Sequence, residues 1–400
     1  MARPNTGIWL IGARGGVAAT TIVGLAALKK DLIAPTGLVS ALPQFAGLPF
    51  AAWGDFLVGG HEIREARLSG EAMGLATESR AIDAGLIVQV EAELDEIDQR
   101  IRPGTVHKVG PTIAAMASTR VPSEEPPREA IARLKNDVSR FAESHALEHV
   151  IVVNVASTEP PVDPSRLPPA WTELKRTLDR PDDCLLPASS LYAIAALELG
   201  CSYINFTPSL GSSPAAIDEL ARTCGARHMG CDGKTGETLM KSVLAPMFQH
   251  RNLRVMSWVG HNIFGNMDGR VLNDPANKQT KVASKDHLLA EILGYRPQTL
   301  VSIEYIESLG DWKTAWDHIH FTGFLGTPMT LQFIWQGCDS LLAAPLVLDL
   351  VRFTDLARRR GETGLLRFLA SFFKSPYGVS EHSFVRQFQA LESWAERVES

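Results

Sequence analysis

Four hundred residues, 45% hydrophobic and 21% charged, are too many for one core and too apolar for extended disorder, so two domains are expected. A formal charge of −6 gives no general support for nucleic-acid binding. No run of about 18 apolar residues occurs, and Met1 leads directly into a strand-like stretch without a signal peptide, so a cytoplasmic chain without a membrane span is expected.

Residues 7–12 read as a buried strand, Ala13-Arg14-Gly15-Gly16 as a turn, and residues 17–30 as an Ala-rich helix with Lys29 and Lys30 at its negative end. Strand, glycine turn and helix form the unit that cradles phosphates. Glycines admit a ligand to the backbone, and the helix start offers N–H donors and positive potential. Here the spacing is Gly12-x-x-Gly15-Gly16 with Thr20 and Thr21 behind, not G-x-G-x-x-G. No acid ends the next strand-like run, 37–41, so the unit reads as a dinucleotide site or as a tight structural turn.

Residues 123–146 predict a helix capped by Ser123, with Ala130, Leu134, Val138 and Phe141 on one face. Residues 149–155 read as a parallel-sheet strand, and the prolines between 160 and 187 as a surface excursion. Helices at 189–200, 212–223 and 235–248 and a strand at 201–206 continue the alternation, which predicts a doubly wound parallel sheet. Strand-like runs at 253–259, 299–306, 318–324 and 329–335 then predict a second, mainly antiparallel sheet carrying a helix at 281–292. From Ser340 the chain reads as helical again.

Polar clusters interrupt these elements. Lys281 and Lys285 stack one turn apart, which costs a few tenths of a kcal/mol (about 0.2–0.5) without an anion nearby. The amide-rich loop Asn262-Ile-Phe-Gly265-Asn266-Met-Asp268-Gly269 precedes them. Such a pair suits a phosphorylated, oxygen-rich ligand, or is a solvated helix face. Asp232-Gly233-Lys234-Thr235-Gly236-Glu237-Thr238 reads as a helix start capped by Thr235. Gly310-Asp311-Trp312-Lys313 reads as a hairpin connection with an exposed ion pair, and Cys338-Asp339-Ser340 as a helix start capped by Asp339. Phe372-Phe373-Lys374-Ser375-Pro376 reads as a helix ending before proline. The cysteines at 184, 201, 224, 231 and 338 read as free thiols. Cys224, His228 and Cys231 are close enough for a metal, but His228 and Cys231 more simply flank a short buried strand, and no metal is expected.

Taken together, these clusters resemble the myo-inositol-1-phosphate synthase family over most of the chain. Further carriers of the resemblance are Ala156-Ser157-Thr158-Glu159, Ser190-Leu-Tyr192-Ala and Asn205-Phe-Thr207-Pro208. So are Lys241-Ser-Val-Leu, Ser284-Lys285 and the highly specific Cys338-Asp339-Ser340-Leu-Leu-Ala-Ala-Pro345. The resemblance implies a Rossmann-like NAD domain, 1–245 plus 336–400, and an inserted, mainly antiparallel α+β catalytic and oligomerisation domain, 246–335, in a homotetramer. It implies conversion of glucose 6-phosphate to inositol 1-phosphate with tightly held NAD. The steps are oxidation at C5, enolisation at C6, intramolecular aldol closure on C1 and re-reduction, with no net redox change.

Each step builds negative charge on oxygen, which preorganised cations stabilise, and a lysine of lowered pKa can pass protons. By resemblance Lys281, Lys285, Lys313 and Lys374 supply these groups. Lys313, oriented by Asp311, serves the C5 hydroxyl; Lys281 acts around C1 and C6; Lys285 and Lys374 hold the phosphate or the oxyanions. Gly15, Gly16, Thr20, Ala156, Ser157, Thr158, Asp232, Thr235, Asn266, Asp268 and Asp339 are the implied NAD residues. Ser190, Asn205, Thr207, Lys234 and Asn262 are the implied substrate residues. The chain departs from the family where Val17-Ala18-Ala19 replaces Asn-Asn-Gly, at Ile263, Phe264 and Met267, and at Trp312, which replaces a small residue and would reshape the pocket if it points inward. The rivals are a paralogue cyclising another sugar phosphate, a net dehydrogenase, and an NAD-binding scaffold without catalysis.

Overall fold

The structure, a computed structural model, describes residues 5–122, 124–266, 269 and 289–399. It begins with β1 (Thr6–Ile11), α1 (Gly16–Lys29), β2 (Phe56–Glu62), α2 (Leu68–Thr77), α3 (Ala84–Asp98) and β3 (Ile101–Pro103). Next come α4 (Pro111–Ala114), α5 (Pro127–His145), β4 (His149–Asn154), α6 (Trp171–Thr177), α7 (Ala188–Glu198) and β5 (Ser202–Asn205). These are followed by α8 (Ala215–Thr223), β6 (Arg227–Gly230) and α9 (Gly236–His250). A second set of strands is β7 (Arg254–Phe264), β8 (Gln298–Tyr305), β9 (Trp312–Thr322) and β10 (Pro328–Cys338). The chain closes with α10 (Asp339–Arg359), β11 (Gly364–Leu365) and α11 (Phe384–Glu399).

The unbroken apolar run of β1 follows from burial on both faces. Ile8 and Leu10 join a core built with α1, α3 and α10, whereas Trp9 and Ile11 join one built with α5, α7 and α8. The sheet runs β11-β6-β5-β4-β1-β2-β3, parallel throughout. This is the Rossmann-like doubly wound order, and its direction of winding reverses between β1 and β4. The carboxyl ends of those two strands therefore open the crevice where such sheets bind ligands. The second sheet runs β10-β9-β7-β8 and is mixed: β7 and β8 are parallel, the other two pairs antiparallel. Its inner face packs Trp258, Ile319 and Phe321 against Phe248 of α9 and against Leu289 and Ile292. Residues 289–293 are helical, while 281–288, the rest of that expected helix, lie outside the described residues.

Several local expectations change. The run at 37–41 is not a strand but a turn ending in the 3-10 segment Val39–Ala41; the second strand is β2, which ends in an acid, Glu62. Helix α5 begins at Pro127, where a missing N–H costs nothing, and Ser123 lies outside the described residues. The proline-rich excursion contains α6. The connection from β8 to β9 is not a hairpin, because β7 lies between the two strands. Thr235 occupies the cap position of α9 without a side-chain cap bond, and Asp339 is the first residue of α10 rather than its cap.

Candidate active site

A cavity of about 590 Å³ opens at the carboxyl ends of β1 and β4 and reaches to the second sheet. One part of its wall is mainly backbone. Gly15 and Gly16 line it, and no side chain caps α1, so its first turn presents N–H groups rather than a bonded cap. A Cβ at Gly16 would lie 2.8 Å from Ser340 Oγ, so glycine is required for α10 to approach the turn. Across the crevice, Ala156, Ser157 and Thr158 follow β4 and also line the cavity. Thr20 is buried behind this wall, and its hydroxyl has no hydrogen-bond partner among the described residues.

Glu62 is a wall residue absent from the sequence expectations. Its carboxylate accepts the backbone N–H groups of Arg14 (2.9 Å), Ile63 (2.8 Å) and Arg64 (3.0 Å). An acid at the end of the second strand is the usual partner of a dinucleotide ribose. Glu159, quoted in a motif but given no role, also lines the cavity. Burial pushes its pKa up to about 7, although the N–H and hydroxyl of Ser189 both donate to it.

A neighbouring part of the wall is charged: a Cβ at Gly16 would also lie 3.9 Å from Asp311 Oδ1. Lys313, on β9, places Nζ 3.5 Å from Asp339 and 5.1 Å from the Phe264 ring centre. Among the described residues its ion pair is with Asp339, not with Asp311 as the sequence suggested. Lys374 Nζ lies 2.8 Å from Asp232 Oδ1, and its backbone N–H donates to the Asp232 carbonyl, fastening two chain segments together. Asp311 is buried and acts as a hub. It accepts hydrogen bonds from the Cys338 thiol (2.7 Å), the Ser340 N–H (2.9 Å) and the Asn266 amide (3.3 Å). Burial raises its pKa, and burial raises that of the Cys338 thiol as well. Thr235 and Thr207 complete this part of the wall.

Other expected site residues stand behind the wall. Ser190 Oγ donates to the Gly211 carbonyl, and the Asn205 amide donates to the Ser209 carbonyl and the Tyr377 hydroxyl. Asn262 donates 2.6 Å to Glu237, which forms a fully buried ion pair with Lys241. The buried Lys234 donates to Gln387 of α11 and faces the Phe384 ring. Burial pushes its pKa down to about 7. Ser190, Asn205, Lys234 and Asn262, expected at the substrate, do not line the cavity, and each side chain is turned to a protein partner. Trp312 does not line the cavity; its indole N–H donates 2.6 Å to the Ser79 carbonyl. Lys281, Lys285, Asp268 and Met267 lie outside the described residues. His228, weighed as a metal ligand, has its ring nitrogens on Ser212 and Asp218.

Known proteins resemble this chain over most of its length. The chain is 31% identical over 402 aligned positions to inositol-3-phosphate synthase 1 of Bacteroides thetaiotaomicron, covering 95% of this chain and 91% of that one. It is 32% identical to inositol-3-phosphate synthase 1 of Rattus norvegicus, covering 84% of this chain but only 62% of the rat protein. The crystal structure of inositol-3-phosphate synthase from Caenorhabditis elegans superposes with a TM-score of 0.87 at 23% identity, over 100% of this chain and 86% of that one, and so shares the fold. The sequence model described as myo-inositol-1-phosphate synthase, an NAD-binding family, matches residues 6–396, and the chain belongs to that family.

Proposed function

We propose that this enzyme, with NAD as its cofactor, converts glucose 6-phosphate to inositol 1-phosphate without net redox change. The observation that carries the reading is one cavity lined both by an uncapped helix start and by two lysines held by carboxylates. The wall residues fit NAD. Gly15 and Gly16 line the cavity at the uncapped start of α1, whose N–H groups would receive a pyrophosphate, and Glu62, at the end of the second strand, would accept from a ribose. Ala156, Ser157, Thr158, Asp232, Thr235, Asn266 and Asp339 would hold the remainder, with Asp268 expected beside them. Bound NAD supplies reversible hydride transfer.

The chain's own groups handle charge and protons. Lys313, held by Asp339 beside the Phe264 ring, would take the proton of the oxidised hydroxyl as the free amine and, once protonated, would stabilise the oxygen left behind. Asp311, its charge opposed by burial, orients Asn266 and the start of α10. Lys374, restrained by Asp232, would neutralise phosphate or enolate oxygen. Lys281 and Lys285 complete the proposed set.

The division at 1–245 plus 336–400 and 246–335 fits the two sheets. A homotetramer fits the outer face of the second sheet, which exposes Leu300, Trp316 and Ile334. Among the described residues no helix is long and apolar enough to cross a membrane. The test is incubation of purified protein with NAD and glucose 6-phosphate, followed by NMR. Inositol phosphate without NADH accumulation is the expected result. Stoichiometric NADH would indicate a dehydrogenase, and no product at saturating NAD would remove the substrate assignment.

A further inference from the structure

The roof over the dinucleotide part is α2 with the turn after it: Gly74, Leu75, Glu78 and Ser79 all line the cavity. This roof is intrinsically weak. Helix α2 has ten residues, two of them Gly70 and Gly74, and no side-chain cap at its start. Glycines inside a helix weaken it, and so short a helix depends on its attachments. At its leading end Glu71 pairs with Arg64, and the Leu68 N–H reaches Asp98.

Its trailing end is fastened to the other sheet. Trp312 Nε1 donates to the Ser79 carbonyl at 2.6 Å, and the Asp311 N–H donates to Ser79 Oγ at 3.0 Å. Gly310 permits this approach: its φ is +54°, and a Cβ there would stand 2.7 Å from Ser79 Oγ. Asp311 and Trp312 lead into Lys313, so one short segment carries both the roof attachment and a proposed catalytic lysine.

We propose that Trp312 is a positioning residue that latches the cavity roof onto the leading edge of β9 and sets how slowly the dinucleotide leaves. The proposal rests on the NAD reading above. The indole is suited to the task, because its one N–H donor points at a carbonyl while its bulk stays off the cavity wall. Opening the roof separates that donor from its acceptor and exposes both parts of the cavity.

The test is release of NADH from the full chain, followed by nicotinamide fluorescence during a chase with excess unlabelled NAD. Trp312→Phe keeps the ring and removes the donor. It is expected to accelerate NADH release about tenfold, the effect of one lost buried hydrogen bond. Turnover at saturating NAD should stay within about twofold of wild type, since the N–H touches no reacting atom. Hydrogen exchange provides the second readout: faster exchange confined to 68–80, with β1 and β4 unchanged, supports the latch. Uniformly faster exchange, unchanged NADH release, or loss of turnover with unchanged release would each overturn it. Wild-type protein that holds no NADH would overturn the NAD reading and the latch together, which separates that failure from failure of the latch alone.

Discussion

On the function proposed above, two adjoining parts of the cavity wall would recognise charge by different means. At the start of α1 the recognising atoms belong to the backbone, and side chains serve chiefly by being small. In the other part they would be the side chains of Lys313 and Lys374, restrained by carboxylates at 3.5 and 2.8 Å. The difference explains where the sequence can vary. Val17-Ala18-Ala19 in place of Asn-Asn-Gly keeps the helical start with its N–H groups, so on this reading the backbone part would tolerate the loss of polar side chains. No substitution at Lys313 could be absorbed in that way.

The sharpest way to break this comparison is Lys313→Ala. Turnover should fall by about a thousandfold, near 4 kcal/mol in the barrier, the scale of a lost electrostatic donor with its proton role. NADH affinity should remain within about threefold, because the backbone part is untouched. Product NMR and fluorescence titration measure the two. Equal losses in both would show that the two parts do not act separately.

Gly16→Val attacks the backbone part. Its Cβ would meet Ser340 Oγ at 2.8 Å, so the turn and the start of α10 would have to move apart. NAD affinity should fall about thirtyfold, near 2 kcal/mol, while turnover at saturating NAD falls less than threefold. Loss of turnover with normal affinity would reverse the assignment of the two parts.

The same contrast decides what was legible in the sequence. The β1 strand and its glycine turn were legible, because continuous burial and a tight approach leave direct marks in residue type. The second strand was not, because Gly59-Gly60 interrupts its apolar run and glycine normally weakens a strand. The reason lies in neighbours distant in sequence: a Cβ at Gly60 would stand 2.3 Å from the Leu10 carbonyl, and one at Gly59 would stand 2.8 Å from the Trp9 ring. Missing that strand meant missing Glu62. The lysines at 313 and 374 were legible as types but not in their partners. Asp339 and Asp232 are brought to them by pairing between strands and loops far apart in the chain. Trp312 looked like a change of pocket shape, and only its Ser79 contact shows where it points.

Lys234 gives the smallest expected effect on catalysis and tests where the charged part stops. It lies within the same motif as Asp232 and Thr235, which line the cavity, so its sequence position alone suggests a substrate contact. Its ammonium instead donates to Gln387, beside the Phe384 ring of a helix on the far side of the wall. Lys234→Met keeps most of the length of the side chain and removes the amine and its charge. The Michaelis constant for glucose 6-phosphate should then change by less than about twofold, under ~0.5 kcal/mol, and a tenfold rise would return Lys234 to the substrate. Stability carries the complementary signature. Burial lowers the folded-state pKa to about 7 against an ordinary 10.5, so the folded state binds this proton less tightly than the unfolded chain. The contribution is therefore greatest above 10.5 and is lost as pH falls toward 7. Denaturant titrations between those limits should show a wild-type rise in stability with pH that is flatter in Lys234→Met. An unchanged slope would place the ammonium in water, and the boundary between substrate lysines and structural lysines would have to be redrawn.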